Sequence, residues 1–514
     1  MRLLAWLSLG CIAGLVAAPA VLSQPETRTT QPSTCGGLAN LTLPHVTISG
    51  AMVVPASIDP MTAHPAYCRV VGSAHPTQDS DIRFEVRIPD HWNGRFLQMG
   101  NGGFAGTIPE RGLAIGVAQG FAVAGTDDGH QSTVSTDASW ALNHPEKQID
   151  FGYRALKETT DAAKAILTAY VGAPKFSYFQ GCSDGGREAL MEAQRFPKDF
   201  DGIVAGDPAN NWTHLFAGTA LAYQMLSAPG GALPPAKLKL VQAAAVKQCG
   251  DADGVIQDPL SCRFRPASLR CKSGDAPDCL TPAQLGSLEF LYAGARNPRT
   301  HEKIIAGFTP GGEAEANGWG RWITGEDGEV SHAQLHDYAT NFFGQIVFSD
   351  PNYDLKRFDG DRDVKLTDEK FAPIFNSYDP DLSDFKARGG KLIQYHGWSD
   401  PAIPAMDSVD YYKAVQTRMG ATGAFYRLFM VPGMLHCAGG PGANMLATLP
   451  AITQWVEQHQ APDMLIATKY RDNDPQKPVE RVRPLCPFPA RAEWDGKGDS
   501  NNPASYRCVA APAK

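Results

Sequence analysis

The sequence predicts an α/β fold whose chain is interrupted by a large insertion, and three observations carry that reading. Short apolar runs alternate with helical stretches over residues 83–180, composition shifts abruptly after Asp207-Pro208, and the alternation returns at residue 391. At 514 residues the chain exceeds one ordinary domain and can bury a large core. Hydrophobic residues at 43% and charged residues at 19% exclude a disordered or coiled-coil chain. Acids outnumber bases, 54 to 46, for a formal charge of -8. No Lys/Arg-rich run offsets that excess, so a nucleic-acid or anionic-membrane partner has no electrostatic basis. Small molecules or neutral polymers remain.

The elements follow in chain order. Arg2, the apolar run 3–16 and the small residues up to Ala20 read as a secretory signal over residues 1–20, so the mature protein is expected to be secreted or periplasmic. Ser8-Leu9-Gly10-Cys11 lacks the leucine of a lipoprotein box, so lipidation is not expected. No later segment has ~18 uninterrupted apolar residues. Strand-like runs at 83–88, 95–99 and 121–125, a helix over 153–170 and a strand over 175–180 form the first part of an α/β domain, assigned to residues 21–210. Ala-rich helices over 215–226 and 235–247, four cysteines and a Gly/Trp/Asp-rich stretch read as an inserted domain over 211–384. Apolar strands at 391–395 and 426–431 and a helix at 452–458 return the chain to the α/β domain over 385–514.

Without Cys11 the chain has ten cysteines, and an even count in an exported protein argues for five disulfides. Short loops cost the least entropy to close, which favours Cys35–Cys68, Cys249–Cys262, Cys271–Cys279 and Cys486–Cys508. Cys182 is then left with Cys437. A zinc site would need close Cys/His pairs at metal-ligand spacing, and the sequence has none.

Gly181-Cys182-Ser183-Asp184-Gly185 fits G-x-S-x-G between a strand-like run and a helix-like one, the context of a nucleophile elbow. The glycines relieve crowding at the sharp turn and leave the Ser183 hydroxyl exposed at a helix N-terminus. A serine nucleophile needs a base and an orienting carboxylate, which in α/β-hydrolases follow in the order Ser, Asp/Glu, His at later strand ends. Asp400 and His436 stand at such ends. A Cys182–Cys437 bridge would hold its Cα atoms ~4.4–6.8 Å apart and bring Ser183 beside His436. For the oxyanion hole, Asp184 supplies the amide after the nucleophile and Gly103, in the loop Gly100-Asn101-Gly102-Gly103-Phe104, the second.

This constellation resembles the tannase and feruloyl esterase family, a branch of the α/β-hydrolases that also contains a mono(2-hydroxyethyl) terephthalate hydrolase. The resemblance covers nearly all of the mature chain. It rests on Trp92-Asn93-Gly94-Arg95-Phe96, Gly181 to Arg187, Tyr395-His396-Gly397-Trp398-Ser399-Asp400 and Val431 to Cys437. It implies an α/β-hydrolase fold with a large lid inserted between nucleophile and acid, and a disulfide between the cysteines flanking serine and histidine. It also implies a lid calcium loop, matched here by the stretch from Cys249 to Asp258, which is shorter than the family's by about one Asp-Gly segment. Asp251, Asp253 and the Val255 carbonyl are its candidate ligands. Trp319, Trp322, Phe342, Phe343 and Phe348 are candidates for an aromatic wall in the lid. The lid arginine that binds the free carboxylate in the terephthalate enzyme has no match near residues 339–344, which argues against that activity.

The expected function is that of a secreted serine carboxylesterase acting on phenolic-acid esters, feruloyl ahead of galloyl, without an organic cofactor. Its partners are small aryl esters or plant cell-wall and tannin substrates. The rival from another class is a catalytically silent binding protein on the same scaffold, which loss of a triad residue would favour; none is lost. Asn40-Leu41-Thr42 and Asn211-Trp212-Thr213 match glycosylation sequons.

Overall fold

The computed structural model describes residues 34–58 and 63–510, so the expected signal segment and Cys11 lie outside the described residues. The centre is a nine-stranded sheet. Its strands are β1 (Val46–Val54), β2 (Tyr67–Ala74), β3 (Ile82–Pro89), β4 (Arg95–Met99), β5 (Ala122–Thr126), β6 (Phe176–Cys182), β7 (Gly202–Gly206), β8 (Lys391–Gly397) and β9 (Tyr426–Val431). The order across the sheet is β1-β2-β3-β5-β4-β6-β7-β8-β9. β1, β2 and β3 pair antiparallel, β5 pairs antiparallel with β3, and every pairing from β5 to β9 is parallel.

The parallel strands are apolar nearly throughout because helices cover both faces. Alternation along each strand divides its side chains. Phe96, Phe179, Ile203 and Leu392 join one core with helix Ala155–Tyr170 and helix Ala405–Met419, whereas Leu97, Tyr178, Val204 and Ile393 join a second core with helix Thr448–Gln458. The expected strands at 95–99 and 426–431 stand at those bounds, and the others shift by one or two residues at their ends.

Several elements were not expected. β1 and β2 extend the sheet as antiparallel strands with β1 at the edge, and β7 consists of Gly202-Ile203-Val204-Ala205-Gly206, whose bounding glycines keep it from standing out as a strand. Beyond β9 the chain adds a three-stranded sheet, Met445–Leu446, Leu465–Tyr470 and Val479–Leu485, and a hairpin of Arg491–Trp494 with Tyr506–Val509. Five disulfides form in the expected pairing, with Cα–Cα distances of 4.9 to 5.9 Å. No helix among the described residues is long and apolar enough to cross a membrane.

Between β7 and β8 the chain leaves the sheet and builds a mainly helical layer, including helices Trp212–Ser227, Pro235–Cys249, Pro282–Ala293, Gln334–Asn341 and Arg362–Phe375. Its aromatic core closes on the α/β body at Phe104, whose ring lies 5.7, 5.9 and 5.2 Å from those of Trp212, Phe216 and Tyr338. Arg187 makes a second tie between the layers. Its fully buried guanidinium binds Asp184 at 2.6 Å and the Gly152 and Phe151 carbonyls at 2.8 and 3.1 Å, and it packs 5.1 Å from the Trp212 ring. Removing the cation would leave a buried carboxyl and two carbonyls unpaired. Arg187→Met is therefore expected to lower unfolding stability by about 3–5 kcal/mol in urea titration. A loss below about 1 kcal/mol would contradict this role.

Candidate active site

The loops after β4, β6, β8 and β9 converge at the carboxyl edge of the parallel sheet, where open α/β sheets place their ligands. Ser183 caps helix Asp184–Arg195 at φ 68°, ψ -121°, a strained conformation for a residue with a Cβ. The turn is possible because its neighbours lack side chains. A Cβ on Gly181 would lie 2.3 Å from the Gly185 carbonyl oxygen, and one on Gly185 would lie 2.7 Å from that of Asn101.

The structure brings Ser183, His436 and Asp400 together. His436 Nε2 lies 2.8 Å from Ser183 Oγ, and its Nδ1 lies 2.8 Å from Asp400 Oδ2. Asp400 Oδ1 accepts the amides of Ala402 and Ile403 at 2.7 and 3.0 Å, which fixes the carboxylate plane. Burial pushes the Asp400 pKa up, but the charge of His436 and hydrogen bonds from His396 and His436 outweigh it, and the group is held far below the ordinary carboxylate range. For His436, burial pulls the imidazolium down, but Asp400, by charge and hydrogen bond, and Asp207 more than restore it, so its pKa is raised.

Two further residues complete the frame, and sequence reasoning assigned neither a role. Asp207, at the end of β7 with φ 35°, accepts the Gly397 amide at 2.7 Å and the Cys437 amide at 2.9 Å. One carboxylate thus joins the loops that carry Asp400 and His436. Burial raises the Asp207 pKa to about 6, against the pull of His396. His396 is fully buried at the end of β8, 3.3 Å from Asp400 Oδ2 through Nε2, with Nδ1 2.7 Å from Ser408 Oγ. The signal for both lay in their positions, polar residues at the ends of parallel strands beside the elbow.

The Gly100–Phe104 loop lies against the elbow. The Gly185 amide donates to the Asn101 carbonyl at 2.9 Å, and the Asn101 amide donates to Glu188 at 3.0 Å. Gly103 adopts φ 64°, and a Cβ there would meet the Tyr338 hydroxyl at 2.5 Å. Among the described residues, neither the Gly103 nor the Asp184 amide finds an acceptor. Behind the loop, burial raises Asp128 and Asp184 to about 7 and Glu188 well above the usual carboxyl range, which shifts this cluster toward its protonated forms.

Some expectations need correction. Trp319, Phe342 and Phe343 are buried in insertion cores, and Phe348 stacks on Tyr353 at 4.6 Å, so these four form no wall at the site. Trp322 does face it, edge-on to His436 with ring centroids 5.1 Å apart. Apolar faces at the candidate positions were spent on packing the insertion. Asn211 of the second sequon is buried, whereas Asn40 is exposed.

The calcium loop does not assemble a cation site. Asp251 Oδ1 accepts the Asp253 and Val255 amides at 2.9 and 3.0 Å, and its Oδ2 accepts from Gln257 at 2.7 Å. The Val255 carbonyl accepts the Asp251 amide at 2.9 Å. Asp253 is paired with the guanidinium of Arg483 at 2.6 Å and lies 3.4 Å from that of Arg481. Calcium needs six to eight converging oxygens. Among the described residues no group of three acidic, histidine or cysteine ligand atoms gathers at this loop. With arginine as its counter-ion, the loop does not fit the metal.

Comparison with known proteins places the chain in a family. A family model described as tannase and feruloyl esterase matches residues 68–509. An uncharacterized esterase of Xanthomonas campestris pv. campestris is 40% identical over 93% of this chain and 91% of its own. A probable feruloyl esterase B-2 of Aspergillus terreus is 33% identical over 86% of each chain. The crystal structure of feruloyl esterase B from Aspergillus oryzae superposes with a TM-score of 0.83 at 27% identity, covering 92% of this chain and 99% of that one.

The Cys182–Cys437 bridge spans 255 residues and fastens the elbow to the histidine loop. Replacing both cysteines with Ala is expected to cost on the order of 5 kcal/mol of stability in the chain-entropy account. Turnover of an aryl ester should fall at least tenfold, with KM changed less. Unaltered kcat together with a stability loss under about 1 kcal/mol would refute that role.

Proposed function

This chain belongs to the tannase and feruloyl esterase family of carboxylic ester hydrolases, and on that premise we propose that it hydrolyses esters of phenolic acids through Ser183, His436 and Asp400. The observation that carries the reading is the hydrogen-bonded line from Ser183 Oγ through His436 to Asp400, with both contacts at 2.8 Å. Ser183 Oγ attacks the ester carbonyl as its proton passes to His436 Nε2. Asp400 keeps Nδ1 protonated and stabilises the imidazolium. The amide of Asp184 at the elbow and that of Gly103 in the loop packed against it receive the oxyanion, since among the described residues neither has an acceptor. His436 then protonates the leaving alcohol, and water, deprotonated by the same imidazole, releases the acid.

For the acyl group we place feruloyl and related hydroxycinnamoyl esters first. The edge-on ring of Trp322 beside His436 supports a flat aromatic acyl group, and the relative from Aspergillus terreus carries the name of a probable feruloyl esterase. The insertion between β7 and β8 acts as the lid. Five disulfides suit an oxidising compartment, and we place the mature protein outside the cytoplasm, secreted or periplasmic.

Three measurements check the proposal. Methyl ferulate should exceed methyl gallate, and both should exceed methyl butyrate, in kcat/KM, while Ser183→Ala should lower kcat on each by about 10⁴–10⁶. Equal or better hydrolysis of the butyrate would overturn the substrate class, and Ser183→Ala retaining more than a few per cent of the rate would overturn the mechanism. Because only neutral His436 can accept the serine proton and its pKa is raised, kcat/KM should climb with pH through a midpoint above the ~6.5 of an unperturbed histidine. A profile flat from pH 5 to 8 would contradict that assignment.

A further inference from the structure

A cleft of about 610 Å³ opens between the 251–263 loop of the insertion and the C-terminal strands, next to the strand ends that lead to Asp400 and His436. Neither Ser183 nor His436 lines it. Its floor is apolar: Trp398 and Met430 are buried there, with Pro432 and Phe488 beside them. At the rim the Trp494 ring is 45% exposed, one of the largest apolar surfaces that the described chain leaves in water.

Charge in the cleft runs against the rest of the molecule. In a chain of formal charge -8, four arginines line it against three aspartates. Arg481 and Arg483 are held by Asp253. Arg491 approaches Asp258 only to 3.7 Å, beyond hydrogen-bond reach, and its side chain is 41% exposed. Arg263 is exposed and, among the described residues, has no hydrogen-bond or ion-pair partner. Two guanidinium groups, one from the 251–263 loop and one from the C-terminal strands, therefore stand with open donors in the lining of a cavity that also holds Trp398, Phe488 and Trp494.

Such a cleft is of ligand-binding size, mostly apolar, with a few polar groups that fix orientation. A guanidinium binds a carboxylate through paired N–H donors, and an aromatic floor takes a flat ring. We propose that this cleft is a second binding site, distinct from the esterase site, for a free aromatic monocarboxylate of the hydroxycinnamate or hydroxybenzoate class. The carboxylate lies against Arg263 and Arg491, and the ring lies between Trp398 and Trp494. Trp398 is two residues from Asp400 and Pro432 four from His436, so the occupied cleft adjoins the loops that carry both.

Isothermal titration of the full chain with ferulate tests the proposal, with ferulamide as the ring without the charge and galacturonate as the charge without the aromatic ring. The expected result is ferulate binding that weakens at least tenfold in Arg263→Gln/Arg491→Gln and in Trp494→Ala, with ferulamide and galacturonate each at least tenfold weaker than ferulate. Both variants should keep kcat/KM on a neutral aryl ester within twofold, which also reports that they fold. Ferulate binding unchanged in both variants would assign it to the esterase site alone and overturn the proposal. So would undetectable binding, or galacturonate binding as tightly as ferulate.

Discussion

The Cys182–Cys437 bridge is the constraint on which the rest of the site depends. The sheet delivers the ends of β6, β8 and β9 to one edge, but strand ends alone do not fix the loops that follow them. Nucleophile and base require a separation near 2.8 Å. The bridge removes that freedom at the residues next to Ser183 and His436. Asp207 completes the fastening by accepting the Cys437 and Gly397 amides through its two carboxylate oxygens. A covalent tie and a buried carboxylate thus act on the same two loops, and the strained backbone at Ser183, Asp207 and Cys437 persists because both over-determine it.

Electrostatics at the site is arranged by burial. Asp400 stays ionised in a dry setting because two histidines and two backbone amides address it. Asp128, Asp184 and Glu188, equally buried but with only Arg187 as a close cation, are pushed toward their neutral forms. That division suits the chemistry: negative charge is kept behind His436, where an imidazolium must form, and suppressed behind the Gly100–Phe104 loop, where an oxyanion must be received. The aromatic packing of Phe104 against Trp212, Phe216 and Tyr338 makes the insertion part of that loop's support.

Legibility in the sequence tracked how local each signal is. The parallel strands at 95–99 and 426–431 are short, apolar and bounded by turn residues, and the elbow needs glycines at fixed offsets, so all could be read from neighbouring residues. The disulfide pairing followed from loop length because four of the bridges are local. Other features depend on partners far along the chain. The aromatic residues of the insertion have the same composition whether they face a ligand or each other, and only Trp322 turned out to face His436. The acidic loop at 251–258 looks like a cation site until Arg483, some 230 residues later, arrives as its counter-ion. Asp207 and His396 are single polar residues whose importance comes wholly from the strands on either side.

The central claim is that the disulfide-fastened serine is the nucleophile. Its most direct test is labelling with a fluorophosphonate, followed by intact-mass measurement and peptide mapping without reduction. The expected result is one phosphonyl adduct per chain, on Ser183, in a peptide joined through Cys182 to the peptide of Cys437, with esterase activity lost in proportion to labelling. An adduct on another residue, or full labelling of Ser183 with activity retained, would contradict the account.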